Sequence, residues 1–487
     1  MNSAAIDFIL FGALGDLSQR KLLPSLLALQ ADKLLPLGSR IICLARQDKD
    51  TNAFREETKC NLQRFATDHS LADAHIEALL AQITYLQLDF SCEEDYTKLY
   101  ALLADEPEKQ RIFYYATAAE FFGPISEMLH AKNCLLGPKR VILEKPLGYD
   151  LASSSDINTA VSLYFDESEI YRIDHYLGKE TVQNLLALRF ANPIFGTQWN
   201  QNYISHVEIT LAESVGIEGR WSYFDGAGQM RDMVQNHLLQ LLCLVAMDPP
   251  DDLSADNIRD QKVKVLKQLK PIPEEEQAET VIRAQYSDGS DGQRILPGYN
   301  QEEGALGKST TETYVCIKAE IQNWRWAGVP FYLRTGKRLS EKLTQIVIHF
   351  KQQPHYIFDP RQKELASNKL ILRMQPNEGV SLEVQTKPPG IESDIQIQTT
   401  ELDMSLNNAD KRIPDAYERL LLEVVRGNQY LFVRRDEIEH AWKWCDNIMQ
   451  HWQSPNSKLH SYAAGSWGPT EAAMIIRRDK RNWYTEH

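Results

Sequence analysis

The chain has 487 residues, 43% hydrophobic and 25% charged, with a formal net charge of -14. That length suits two or three domains with sizeable cores, and the composition excludes disordered and fibrous classes. The charge repels nucleic acid and anionic membrane surfaces; it repels phosphorylated ligands too, so a phosphate site requires a local cluster of Lys, Arg and His.

The seven cysteines are scattered and form no C-x-x-C pair. They read as reduced, buried thiols of a cytoplasmic protein, and no metal is expected. The N-terminus lacks the pattern of a signal peptide. No run of about 18 apolar residues offers a membrane span. Neither a nucleic acid nor a membrane is therefore expected as a partner.

In chain order, residues 8–11 read as a short buried strand ending at Gly12, and residues 22–35 carry helical apolar spacing. Residues 40–45 suit a second strand, 76–83 a helix, 84–88 a strand and 96–103 a helix. Residues 111–116 and 140–143 are further strands. This alternation predicts a doubly wound, Rossmann-like α/β domain over residues 1–177. Residues 180–190 then form an amphipathic helix. Residues 206–211, 315–321, 344–350, 370–374 and 380–385 alternate apolar and polar without a helix between each pair. They predict an α+β domain over residues 178–487, with a large, mainly antiparallel sheet, for substrate binding and oligomerisation. Residues 251–300 are polar and acidic, and their latter part, around 286–292, reads as a long surface loop.

The string Gly12-Ala13-Leu14-Gly15-Asp16-Leu17-Ser18-Gln19-Arg20-Lys21 follows a strand and opens a helix. Glycines there let a pyrophosphate approach the backbone at a helix N-terminus; a plain βα turn is the alternative. Arg46 follows the second strand with no acidic residue just before it, which favours the 2′-phosphate of NADP over the ribose of NAD. Lys145, in Glu144-Lys145-Pro146-Leu147-Gly148, stands where ligands bind at the carboxyl end of a parallel strand.

The stretch from Arg172 to Glu180 is dense in functional side chains. His175 and Lys179 can converge on one anion, whereas Asp174 suits the orientation of a histidine. On the helix from Arg231, Asp232 and Asn236 lie near one face with His237 to the side. His237 reads as a general base, or as a satisfied core histidine. Glu213 lies just past the strand at 206–211. Arg334, Lys337, Arg338 and Lys342 read as a compact basic patch before another strand.

Together these strings closely resemble the glucose-6-phosphate dehydrogenase family, through residues 12–21, 144–148, 172–184, 218–240, 331–342 and 462–469. The resemblance implies oxidation of glucose 6-phosphate at C1 to the 6-phospho-1,5-lactone. NADP would be the cofactor, NAD the alternative, and the assembly a homodimer or homotetramer. It implies His237 as the base and Asp174 as its orienting partner. His175, Tyr176, Lys179 and Lys342 would hold the phosphate. Glu213, Asp232 and Lys337 would hold sugar hydroxyls. Lys145 would serve both substrate and cofactor. The turn from Gly12 through Ala13, Leu14, Gly15 and Asp16 to Leu17, with Arg20 and Arg46, would belong to the cofactor site. Two departures touch that side: Ala116-Thr117-Ala118-Ala119 stands where the family usually has paired prolines, and Cys43-Leu44-Ala45-Arg46 lacks the glycine often found before the family's Arg. Two rival readings are another sugar oxidoreductase with an E-K-P lysine, and a catalytically silent sensor of sugar phosphate or dinucleotide.

Overall fold

The computed structural model describes residues 5–66, 73–358, 367–390, 397–404, 412–454 and 457–484. The chain divides into two compact units. The first comprises Met1–Lys179, Asp252–Arg259 and Pro414–Glu439, and the second Glu180–Asp251, Asp260–Ile413 and His440–His487.

The first unit is built on parallel strands β1 (Ile6–Phe11), β2 (Arg40–Ala45), β3 (Ile83–Gln87), β4 (Gln110–Tyr115), β5 (Lys139–Leu143) and β6 (Ile170–Ile173). They lie in the order β6-β5-β4-β1-β2-β3, and the short strand Phe432–Val433 pairs antiparallel on the β6 edge. All six residues of β1 are buried, as a strand with both faces covered requires. One core layer joins Phe11, Leu44, Phe113, Tyr115 and Leu143. The sheet grows outwards in both directions from β1, which has β2 on one side and β4 on the other. The crevice beyond the carboxyl ends of β1 and β4 is the topological switch point where such sheets bind ligands.

The first helix is shorter than the apolar spacing of residues 22–35 suggests. A wide-turn segment, Ser18–Leu22, leads into Leu23–Ala31. The chain leaves the helix at Asp32 and turns through Lys33, whose φ is +58°. The first unit is also not one continuous piece ending at residue 177, because residues 252–259 and 414–439 belong to it. The helix Ala416–Arg426 packs so closely on the turn His175–Gly178 that a Cβ on Gly178 would lie 2.6 Å from the Ala416 carbonyl oxygen. Arg140 Nη1 donates to the Val424 and Val425 carbonyls at that helix's end.

The second unit holds β7 (Ile204–Ala212), β8 (Val281–Ser287), β9 (Tyr314–Ala319), β10 (Phe331–Gly336), β11 (Leu343–Phe350), β12 (Lys369–Gln375), β13 (Gly379–Thr386) and β14 (Gln398–Asp403). With the edge strand His460–Ala463 they form one sheet, β14-β13-β12-β11-β7-β10-β9-β8-(His460–Ala463). It is antiparallel except where β10 joins β7 and where His460–Ala463 joins β8. β8 takes up only the first two residues of the loop expected around 286–292, and beyond it the two-residue strands Gly289–Ser290 and Ile295–Leu296 pair with each other. Residues 251–300 contain helices Ala255–Gln268 and Glu274–Thr280 and then β8, which buries Val281, Ile282, Ala284 and Tyr286. Arg283 and Gln285 alternate with those residues, and this masked the strand among polar neighbours.

Five of the seven cysteines are buried, but Cys60 is exposed and Cys92 half-buried, against the expectation that all are buried. Among the described residues, no helix is long and apolar enough to cross a membrane.

Candidate active site

In the first unit, β1 runs into Gly12, whose φ of +81° is open to glycine. A Cβ there would lie 2.4 Å from the Ala116 carbonyl oxygen at the end of β4. The turn is tied down by its own backbone. Gly12 and Ala13 N–H both donate to the Leu44 carbonyl, and the Gly12 carbonyl accepts from Gly15 N–H and Ser18 Oγ. Gly15 and Asp16 face solvent, Leu14 and Leu17 are half-buried and Ala13 is buried. Arg20, exposed, reaches Asp16 at 3.4 Å and covers the Phe65 ring. Arg46 is exposed at the end of β2 and forms no ion pair with a described residue. Bare glycine backbone at the switch point and an unpaired guanidinium beside it suit a phosphorylated dinucleotide.

β5 ends at Leu143 and delivers Glu144 and Lys145 to the same carboxyl edge. The Lys145–Pro146 peptide is cis. Lys145 is half-buried, while Glu144 is buried and accepts hydrogen bonds from the Tyr114 and Tyr417 hydroxyls. Burial raises the Glu144 pKa, partly offset by those two hydroxyls.

β6 ends at Ile173, and Asp174 then caps the short turn His175–Gly178 by accepting the Tyr176 N–H at 3.0 Å. Tyr176 is buried, and its ring contacts the His175 ring at 4.8 Å and the Lys179 ammonium at 5.5 Å. The structure thus brings together His175, Tyr176 and Lys179. The His175 ring also stacks on Tyr417, at 6.3 Å and 9°. Tyr417 escapes a sequence reading, and Glu144 enters it only as part of the string around Lys145. The only local clue is the capping-box spacing of Asp415 and Glu418, which marks a helix start without saying where that helix docks.

In the second unit, parallel pairing of β7 and β10 aligns Ala212 with Gly336, so both strands leave the sheet at one end. Glu213 and Lys337 follow directly, and Lys337 Nζ lies 2.7 Å from Glu213 Oε2. Asp232 Oδ2 lies 3.9 Å from the same ammonium, and the Phe224 ring packs against it at 5.0 Å. Lys337 is only 4% exposed. Lys342 is exposed and precedes Leu343, which pairs with Ala212 at the same sheet end; it makes no hydrogen bond or ion pair with a described residue.

The expected compact basic patch is not what forms. Strand alternation sends Arg334 inward, where Nε donates to Thr210 Oγ1 and the guanidinium covers Trp467 and Trp483. Arg338 pairs with the buried Glu302 at 2.9 Å. Only Lys337 and Lys342 remain for the site.

Asp232 and His237 lie on Met230–Leu238, a segment of wide i→i+5 turns, a geometry frequent at functional sites. His237 is buried. Asn236 is committed to its own helix: Oδ1 accepts the His237 N–H, and Nδ2 donates to the Arg231 carbonyl. The helix before it breaks at Gly228, with φ +71°, and Glu312 Oε1 fills that space and accepts the Met230 N–H at 3.0 Å.

Comparison with known proteins agrees over the whole chain. Residues 9–184 match the model described as glucose-6-phosphate dehydrogenase, NAD binding domain, and residues 186–484 match its C-terminal domain. A glucose-6-phosphate 1-dehydrogenase of Dickeya dadantii is 47% identical, with 98% of each chain covered. One from Rhizobium meliloti is 44% identical, over 98% of this chain and 97% of the relative. A solved structure described as glucose-6-phosphate dehydrogenase in complex with its substrate glucose-6-phosphate superposes with a TM-score of 0.90 at 32% identity, covering all of both chains. The Mycobacterium avium glucose-6-phosphate 1-dehydrogenase structure gives 0.83 at 33% identity, covering 99% of both chains. Two family models that together span nearly the whole chain, and relatives more than 40% identical along it, show that the chain belongs to the glucose-6-phosphate dehydrogenase family of oxidoreductases.

Proposed function

We propose that this protein oxidises glucose 6-phosphate at C1 to 6-phosphoglucono-1,5-lactone, with NADP as the cofactor. The observation that carries this reading is the cluster of Glu213, Lys337 and Asp232 beside the helix that bears His237. Two carboxylates around one ammonium offer acceptors and a donor to neighbouring sugar hydroxyls. His237 is the base that takes the proton of the C1 hydroxyl, and Asp174 is assigned to orient its imidazole. His175, Tyr176, Lys179 and Lys342 hold the phosphate, whose binding energy is remote from the reacting carbon and positions it. The turn from Gly12 to Leu17, with Arg20, Arg46 and Lys145, is assigned to the cofactor. Bound there, the nicotinamide supplies the acceptor for the C1 hydride. The unpaired Arg46 favours a 2′-phosphate, and hence NADP over NAD.

Steady-state kinetics with glucose 6-phosphate against NADP and NAD test this. Turnover with NADP is expected, unphosphorylated glucose is a poor substrate, and Arg46→Ala lowers kcat/KM for NADP more than for NAD. Equal efficiency on glucose, or an unchanged cofactor ratio in the variant, would remove the phosphate and the cofactor assignments respectively.

A further inference from the structure

The geometry points to a site for one divalent cation of the zinc class at His206, Glu208 and His349, in the second unit. The assigned catalytic chemistry uses none of these residues, and the reading of the scattered cysteines does not bear on imidazole and carboxylate ligands. His206 and Glu208 stand two apart on β7, so their side chains share a face. The antiparallel register sets His349 of β11 directly opposite His206, on that same face. All three are buried. One ligand atom from each lies within 4.8 Å of the others. Glu208 Oε1 is 2.8 Å from His349 Nε2 and 3.6 Å from His206 Nε2.

Three further observations favour a cation. Both buried Nε2 atoms face the one Glu208 carboxylate, and neither meets it in well-aligned hydrogen-bond geometry. The other ring nitrogen of His206 lies 3.1 Å from Ser205 Oγ, which can accept its N–H and so leave Nε2 able to bind a metal. Glu208 is itself held, because the Tyr484 N–H approaches its two oxygens at 3.2 and 3.0 Å. The imidazole rings stack at 3.9 Å and 15°, so binding requires one ring to turn about its Cβ–Cγ bond until both nitrogens come within about 2.1 Å of the ion. Two imidazoles and a carboxylate select zinc or a neighbouring transition metal over calcium or magnesium. Bound there, the ion joins β7 to β11 and, through Glu208, fastens the segment bearing Tyr484 onto the sheet. Two cations lie nearby, and both are paired: Arg481 lies 3.8 Å from Asp479, and Lys369, opposite His349 in the register, pairs with Glu383.

The test uses the full-length, tag-free protein, stripped with a chelator and titrated with Zn2+ against a chromophoric competitor, and with Co2+ read by its visible spectrum. Expected are one high-affinity ion per chain and a four-coordinate Co2+ spectrum. Both are lost in His349→Gln and in His206→Gln, with circular dichroism confirming that these variants fold. Ser205→Ala, which keeps all three ligands, weakens binding by about 10- to 100-fold. Absence of binding in the parent chain, or equal binding in both histidine variants, overturns the site; a proton shared by His349 and Glu208 then accounts for the cluster.

Discussion

Lys337 meets two carboxylates in a pocket it scarcely leaves, and this arrangement makes a definite demand on mutation. Replacing it with Met keeps the length of the stem but leaves Glu213 and Asp232 without their cation. KM for glucose 6-phosphate is then expected to rise by about 10- to 100-fold, corresponding to about 1.4–2.7 kcal/mol, with kcat less affected. Steady-state kinetics check this, and an unchanged KM would remove the lysine from the sugar site. His237 makes the opposite demand. A positioned base contributes about 10²–10⁴ in rate, so His237→Asn should lower kcat by that order while glucose 6-phosphate still binds in calorimetry. Near-normal turnover would remove His237 from the role of base.

The element that bears His237 depends on a residue far away in sequence. The Glu312 carboxylate occupies the space opened by Gly228 and accepts the first N–H of the wide-turn segment Met230–Leu238. Burial raises its pKa, offset in part by hydrogen bonds from the Met230 N–H and its own N–H and by Arg231 and Arg283. A carboxyl group raised in the folded state stabilises the protein fully below its unfolded pKa and loses that contribution as pH rises through the folded value. Glu312→Gln retains an acceptor for Met230 and removes the titration. Its melting temperature should match the parent's near pH 4 and exceed it at pH 8. A gap that stays constant across this range would mean that Glu312 does not titrate in the folded state. The switch-point turn is the simpler case: Gly12, with φ +81° and a carbonyl where a Cβ would be, explains locally why that string carries glycine.

At the scale of the molecule, the chain does not finish one unit before starting the next. Residues 414–439 return to the first unit, adding Phe432–Val433 to β6 and the helix Ala416–Arg426 to the turn at His175. Arg140 and the buried Arg172 both donate to carbonyls of that returning piece. A fragment of residues 1–184, cut where the family's NAD binding domain ends, should therefore be loosely folded and aggregation-prone, and joining residues 414–439 to it should restore a cooperative melt. A fragment that melts as cooperatively alone would show that the return adds nothing.

Much of this was legible along the chain. The β-α alternation, the turn after β1, the His175–Lys179 stretch and the polar positions around His237 are local features, because their spacing lies within one loop or a few helical turns. Propensity and periodicity speak directly at that range. The sequence by itself thus determined the two kinds of sheet, the order of the strings and the family they resemble. Only the tertiary structure decided that Glu213 and Lys337 are neighbours, since parallel pairing of strands more than a hundred residues apart sets that contact. It alone turned Arg334 and Arg338 away from the expected basic patch, returned Tyr417 to His175, and set His349 opposite His206. Strand register and long-range docking follow from which faces bury together, and neighbouring residues along the chain carry no record of that.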